Sequence, residues 1–315
     1  MEILKLKPIF KDYIWGGNRL RTEFGFESDY DIMAEAWMLA SREDGENTVI
    51  GGKFDKMPFS KVIEENPDFV GTRGKDFPFF PLLIKLIDAK NDLSVQVHPN
   101  DEYAMKTKGE FGKTECWYIL DCDEDAEIIF GFNKEISSEE FKKSVEDNTF
   151  LKYVNREKVK KGDLFFIEAG TLHAIGKGIL LAEIQQNSNI TYRVYDYGRL
   201  GTDGKPRPLH VKNAIEVTKC IPPKKESKCA GEIKKFDNYS KQSLVNCDLF
   251  IADKYTVNGQ FALEADESSF LSILITDGNG RIENIDVKKG DSLFVPASFG
   301  RFTLNGNFDM IVSRV

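Results

Sequence analysis

The segment Val159-Lys160-Lys161-Gly162-Asp163 recurs as Val287-Lys288-Lys289-Gly290-Asp291, at an offset of 128 residues. The context repeats with it: DLFFIEAGTLHAI continues the first copy and DSLFVPASFGRF the second. Each copy reads as a tight Gly-Asp turn, a short half-buried strand and a small-residue turn. A chain written this way is a duplicated β domain. The length agrees, because 315 residues hold two domains of roughly 100–200 residues each. The boundary is expected near 220–240, where IPPKKESKCAGEIKKFDN breaks the strand pattern, which divides the chain into 1–235 and 236–315.

Strand signals dominate elsewhere too. Runs rich in β-branched and aromatic residues occupy 93–97, 116–120, 126–132, 163–167, 179–184, 190–197, 270–276 and 291–295. Two helices are predicted, 59–69 opened by Ser60 and 137–147 capped by Ser137 or Ser138. The expected class is mainly β, an antiparallel sandwich or barrel with few helices. With 41% apolar and 30% charged residues the chain is neither disordered nor a membrane protein. The net charge is −8 and no block of Lys and Arg adjoins aromatic residues, which argues against a nucleic-acid partner. No apolar run approaches the roughly 20 residues that span a bilayer, so no membrane partner is expected. MEILKLKPIFKDYIWGG lacks the apolar core and cleavage site of a secretion signal. The five cysteines (116, 122, 220, 229, 247) form no C-x-x-C pair, as expected of a reduced, cytoplasmic protein.

Histidine is scarce, with only three, at 98, 173 and 210. In S-V-Q-V-H-P (94–99), alternation puts Ser94, Gln96 and His98 on one strand face and Val95 and Val97 on the other. Three polar residues on one side of an apolar strand need partners. Glu115 enters the strand after G-K-T, and His173 follows the Gly170 turn. Gln96, His98, Glu115 and His173 together offer two imidazoles, a carboxylate and an amide oxygen, a donor set for Zn²⁺ and also for Fe²⁺, Mn²⁺ or Co²⁺. His210 stands apart and reads as a hydrogen-bonded structural residue. The second copy contains no histidine, and Arg301 stands where His173 would fall, so metal chemistry belongs to the first copy. In LAEIQQNSNITYRVYDYGR, Glu183 and Gln185 share one face, and Thr191, Arg193 and Tyr195 share another. Arg193 either snorkels from a sheet edge or binds an anion. Lys113 is a further cation near Glu115, while Arg199 and Lys205 lie in the loop GRLGTDGKPRP. Cations converging on one site in an acidic chain point to an anionic substrate.

With these residues in view the sequence resembles the type I phosphomannose isomerases, zinc enzymes of the cupin superfamily. The resemblance is carried by Y-I-W-G-G (13–17), A-E-A-W (34–37), F-P-L-L-I-K-L-I-D-A (80–89), L-S-V-Q-V-H-P-N-D (93–101), G-K-T-E-C-W-Y-I-L (112–120) and A-G-T-L-H-A-I (169–175), and by the stretch from Glu183 to Arg193. It implies a bicupin, two jelly-roll β-barrels with a few peripheral helices, the second barrel without metal ligands. It implies one zinc ion per chain on Gln96, His98, Glu115 and His173. Arg193, Lys113 and Glu183 correspond to catalytic positions, and Ser94 to a substrate position. The chain lacks the helical insertion of longer members and resembles the short bacterial form. Around YRVYDYGR it departs from those longer members, so Arg199, Lys205 and Lys113 all stand as partners of Arg193 on phosphate.

The implied reaction interconverts mannose 6-phosphate and fructose 6-phosphate through a cis-enediolate, with a phosphorylated hexose as the partner molecule. It needs a cation for the developing charge, a base, and an anchor for phosphate. Glu183 is the expected base, on the premise that burial raises its pKa toward neutrality; a zinc-bound hydroxide or Lys113 are the alternatives. A monomer or weak homo-oligomer is expected. Two other readings use the same residues. Two His and a carboxylate also suit a non-haem Fe(II) cupin dioxygenase, although Gln96, Lys113 and Arg193 have no task there. A non-catalytic sugar-binding bicupin is the third, against which the intact ligand set of the first copy counts.

Overall fold

The computed structural model describes residues 1–201, 204–228 and 230–315. Cys229, and Thr202 and Asp203 of the loop after Arg199, lie outside the described residues. The fold is mainly β, and each of the eight predicted runs lies on a strand. A six-stranded antiparallel sheet runs in the order Leu164–Ile167, Glu115–Cys122, Ile179–Gln186, Leu82–Ala89, Glu35–Leu39, Ile9–Lys11. A five-stranded sheet is ordered Val154–Lys158, Glu127–Phe132, His173–Ile175, Val95–Val97, Tyr192–Tyr195. Alternation decides what each sheet buries. Val95 and Val97 are fully buried in a cluster with Phe132, Phe141, Leu172 and Val194, which turns Ser94 and Gln96 to the opposite side.

The helix Ser138–Glu146 backs that cluster with Phe141, whose ring meets Phe132 edge-on at 5.4 Å. Its N-terminus is a capping box: Glu140 N–H donates to Ser137 Oγ, and Ser137 N–H donates to Glu140 Oε2. The first predicted helix is shorter than expected. It runs Phe59–Glu65 with Pro58 at the N-cap, so Ser60 does not open it, and Asn66-Pro67 breaks the α-helix before a 3-10 turn at Pro67–Val70.

The repeat is structural as well as sequential. In the first copy Lys160 N–H donates to Asp163 Oδ2 at 2.9 Å, and Gly162 N–H donates to the Ile119 carbonyl. In the second, Lys288 N–H donates to Asp291 Oδ2 at 2.9 Å and Gly290 N–H to Ile275. Gly162 and Gly290 have φ of 90° and 91°, the left-handed region that makes glycine the natural residue there. The strands that follow, Leu164–Ile167 and Ser292–Val295, start and stop at matching positions.

The second copy lies in a nine-stranded sheet that includes the long strands Ile251–Ala265, Leu271–Ile282 and Gly300–Arg314. Two strands from the other end of the chain complete it: Leu4–Lys7 pairs with Ser292–Val295 on one side and with Thr48–Ile50 on the other. An aromatic cluster joins the halves. Phe59 meets Phe294 edge-on at 5.0 Å, and Phe80 stacks on Phe270 at 5.4 Å. Gly71, at φ 78°, lets the backbone pass so close to Ser268 that a Cβ would fall 2.6 Å from its carbonyl, and Arg73 N–H donates to that carbonyl.

Candidate active site

Two polar rows flank one cavity of about 290 Å³, which Gln96 and Arg193 line from one row and Lys85 and Glu183 from the other. On the five-stranded sheet, His173, Gln96 and Arg193 are direct cross-strand neighbours and so share a face. On the six-stranded sheet, Trp117, Glu183, Lys85 and Trp37 form the corresponding row. Ser94, Gln96, Lys113, Glu183 and Arg193 all line the cavity, as the sequence leads one to expect. Tyr195 does not join Thr191 and Arg193. A bulge between Arg193 and Tyr195 shifts the register, and Tyr195 packs against Phe150 instead.

His98, Glu115 and His173 form one buried group whose ligand atoms all lie within 4.8 Å of one another. The backbone fixes each. Gly170 N–H donates to the His98 carbonyl, and Lys113 N–H to that of Pro99. Gln186 Oε1 receives the Thr114 N–H at 2.9 Å, and Trp117 meets the His173 ring edge-on. Carbonyls set the imidazole tautomers: His98 Nδ1 donates to Ile190 at 2.8 Å and His173 Nδ1 to Thr171 at 2.9 Å. Both Nε2 atoms therefore carry lone pairs, and these face each other at 3.1 Å. Burial, reinforced by the charge of Lys113, depresses both histidines, His173 to about 3, so both are neutral.

Two facing lone pairs need a cation between them, and Glu115 presents an oxygen to each ring at 3.5 Å. Its Oε1 is buried without a hydrogen-bond partner. Lys113 already supplies one positive charge here, donating to His98 Nε2 at 3.1 Å and to Glu115 Oε2. Neutral imidazoles with a carboxylate suit a divalent metal ion. Gln96 stands beside His173 in the same row, half-buried.

Glu183 departs from expectation. Burial does push its carboxyl up, but Lys113, Lys85 and the Trp117 indole N–H outweigh burial and hold it well below the usual carboxylate range. Lys113 lies 3.8 Å from Oε1, Lys85 3.2 Å from Oε2, and Trp117 Nε1 donates at 3.0 Å. It is an ionised, doubly paired carboxylate and not a base with a pKa near neutrality.

The anion side also differs in detail. Arg193 Nε donates to Ser94 Oγ at 3.3 Å, and its NH1 to the Pro208 carbonyl at 2.9 Å. Arg199 turns from the cavity to the Asp92 carbonyl and to Asp196, and Lys205 is exposed and outside the lining. Arg207 lines the cavity in their place, held in a bidentate pair with the buried Asp196 at 2.7 and 2.6 Å. No spacing signal marks Arg207, Glu35 or Lys85 for this cavity, although Glu35 lies in A-E-A-W and Lys85 in F-P-L-L-I-K-L-I-D-A. His210 lies outside the metal group: its Nδ1 receives the Arg193 N–H at 3.3 Å, and its own N–H donates to the Arg193 carbonyl.

Residues 3–133 match the model of the phosphomannose isomerase type I catalytic domain, and 240–315 that of the mannose-6-phosphate isomerase cupin domain. Mannose-6-phosphate isomerase ManA of Bacillus subtilis is 40% identical over 100% of this chain and 99% of its own. The chain belongs to the type I phosphomannose isomerases. Other members agree: the mannose-6-phosphate isomerase of Streptococcus mutans is 34% identical over 99% of this chain and 98% of its own. The crystal structure of the mannose 6-phosphate isomerase from Bacillus subtilis superposes on this type I phosphomannose isomerase fold with a TM-score of 0.93, at 35% identity and over 100% of both chains. Among the described residues no helix is long and apolar enough to cross a membrane.

Proposed function

We propose that the chain is a zinc-dependent mannose-6-phosphate isomerase that interconverts mannose 6-phosphate and fructose 6-phosphate through a cis-enediolate. The observation that carries this reading is the pair of facing, neutral His98 and His173 Nε2 atoms beside Glu115, joined through Lys113 to a cavity lined by Arg193 and Arg207. Gln96, His98, Glu115 and His173 would hold one zinc ion per chain. When bound, the ion supplies Lewis-acid polarisation of the sugar oxygens at C1 and C2. Arg193, with Arg207 beside it, holds the phosphate, and Ser94 steadies the Arg193 guanidinium. Remote phosphate contacts of this kind position the reacting carbons. Glu183 accepts the carbon-bound proton as an ionised carboxylate, with Lys113 at 3.8 Å as the partner that shares it. The cluster of Arg193, Arg199 and Arg207 around the single Asp196 leaves local positive charge for an anion, which oxygen chemistry or mere sugar binding does not need.

The architecture that accompanies this function is a bicupin of two jelly-roll barrels, the metal-binding part at 1–235 and a degenerate part at 236–315, in a cytoplasmic monomer or weak homo-oligomer. A coupled assay for fructose 6-phosphate, run on the zinc-loaded chain with mannose 6-phosphate, tests the function directly. Turnover is expected. Oxygen uptake by an iron-loaded sample with no isomerisation would overturn the reading.

A further inference from the structure

The motifs A-E-A-W (34–37) and P-L-L-I-K-L-I-D-A (81–89) have no part in the metal group or the phosphate contacts. They place Glu35 and Lys85 in the wall of the same cavity, 7% and 4% exposed. Lys85 Nζ lies 3.2 Å from Glu183 Oε2 and 3.5 Å from Glu35 Oε2. An indole closes each end: Trp117 Nε1 donates to Glu183 Oε1 at 3.0 Å, and Trp37 Nε1 to Glu35 Oε2 at 2.7 Å. The result is a buried chain, Trp117–Glu183–Lys85–Glu35–Trp37, with charges that alternate.

A buried lysine between two carboxylates is a poor way to gain stability, since well-packed apolar side chains commonly do as well. Its geometry is what it provides. Glu183 has one oxygen toward Trp117 and Lys113 and the other toward Lys85. If the Lys85 ammonium had no second anion, it would settle wholly on Glu183 and draw the carboxylate from its Lys113 side. Glu35, fixed by the Trp37 indole, shares the ammonium and keeps it between the two.

We propose that Glu35 is a positioning residue of the isomerase: through Lys85 it fixes the direction in which the Glu183 carboxylate faces the reacting carbons. The proposal rests on the isomerase reading above. The experiment uses the full, metal-loaded chain and compares E35Q, E35D, K85M and the double variant E35Q/K85M. E35Q is expected to lower kcat about tenfold with KM within about twofold, the lower end of what a residue orienting an active-site ligand contributes. Bound metal and Tm should match wild type. E35D keeps the charge and should recover most of kcat. K85M should lose about a hundredfold, and E35Q should add less than twofold on that background, because the two act as one unit. If K85M does not fold, the E35Q and E35D pair decides alone. Wild-type kcat in E35Q, a loss confined to KM, or equal losses in E35Q and E35D would overturn the proposal. Absence of isomerisation in the wild type would instead overturn the functional reading, and shows before any variant is made.

Discussion

The two copies of the repeat keep the same turn and fill their interiors differently. Both turns close with the same hydrogen bond from a Lys backbone N–H to an Asp carboxylate and the same left-handed glycine. Beyond the turn, the first copy leads to His173 and a polar cavity. The second leads to Phe302 and Leu304, fully buried in an apolar cluster with Ile273, Leu293 and Val312, while Arg301 is exposed. A shift of one residue on a strand exchanges its faces. The turn is therefore what the two segments share, and the chemistry depends on which face the next strand presents.

The comparison can be broken most severely at the ligands. H98A should lose its divalent metal, measured by elemental analysis, and fall to background turnover; full metal occupancy in that variant would remove the first copy's special status. Core positions come next. Phe294 is fully buried among Phe59, Phe80 and Phe270, whereas Phe166, its counterpart one repeat earlier, is only half-buried. F294A should cost about 3–5 kcal/mol in denaturant unfolding and F166A clearly less. Equal costs would mean that the copies are packed alike.

D196N acts on the arginine cluster and should raise KM about tenfold, roughly the 1.4 kcal/mol expected when a charged hydrogen-bond partner is lost, with bound metal unchanged. It also carries a pH signature. Burial raises Asp196, but Arg207 and Arg199 outweigh it and hold its pKa below the ordinary value of 3.8. A depressed carboxylate stabilises the fold above its unfolded pKa and loses that contribution as pH falls through the folded value. Wild type should thus lose more stability than D196N below about pH 4; parallel acid curves would exclude this pairing. The smallest effect belongs to R301H, which places a histidine in the second copy on its exposed face. Stability should stay within about 0.5 kcal/mol and no second metal should bind; a second bound ion would show that the copies differ by one side chain only.

Local rules made much of this legible. Alternation in S-V-Q-V-H-P put Gln96 and Ser94 on the cavity side because Val95 and Val97 had a core to fill. Of the two candidate caps Ser137 opens its helix, with Glu139 and Glu140 in the first turn as the sequence pattern implies. The helix Asp101–Lys108 went unread although Asn100 caps it and Gly109 ends it in the left-handed conformation. What escaped was decided at long range. Arg207 reaches the cavity only because Asp196 holds it there, and Tyr195 turns away because a bulge resets its register. Glu183 looked like a base with a raised pKa because burial was visible in its apolar strand. The neighbours that reverse the shift, Lys85 on the adjacent strand and Lys113 in the loop before Glu115–Cys122, were not.

The pairing of Leu4–Lys7 with Ser292–Val295 bears on how the molecule comes into being. Leu4 precedes Phe294 in synthesis, and their pairing waits until both exist. Until then the early strand has Thr48–Ile50 to pair with on one edge, while its other edge stays open. Such distant pairings form slowly even in the completed chain. That open edge is a place for chaperones or for premature aggregation, and the arrival of Ser292–Val295 closes it.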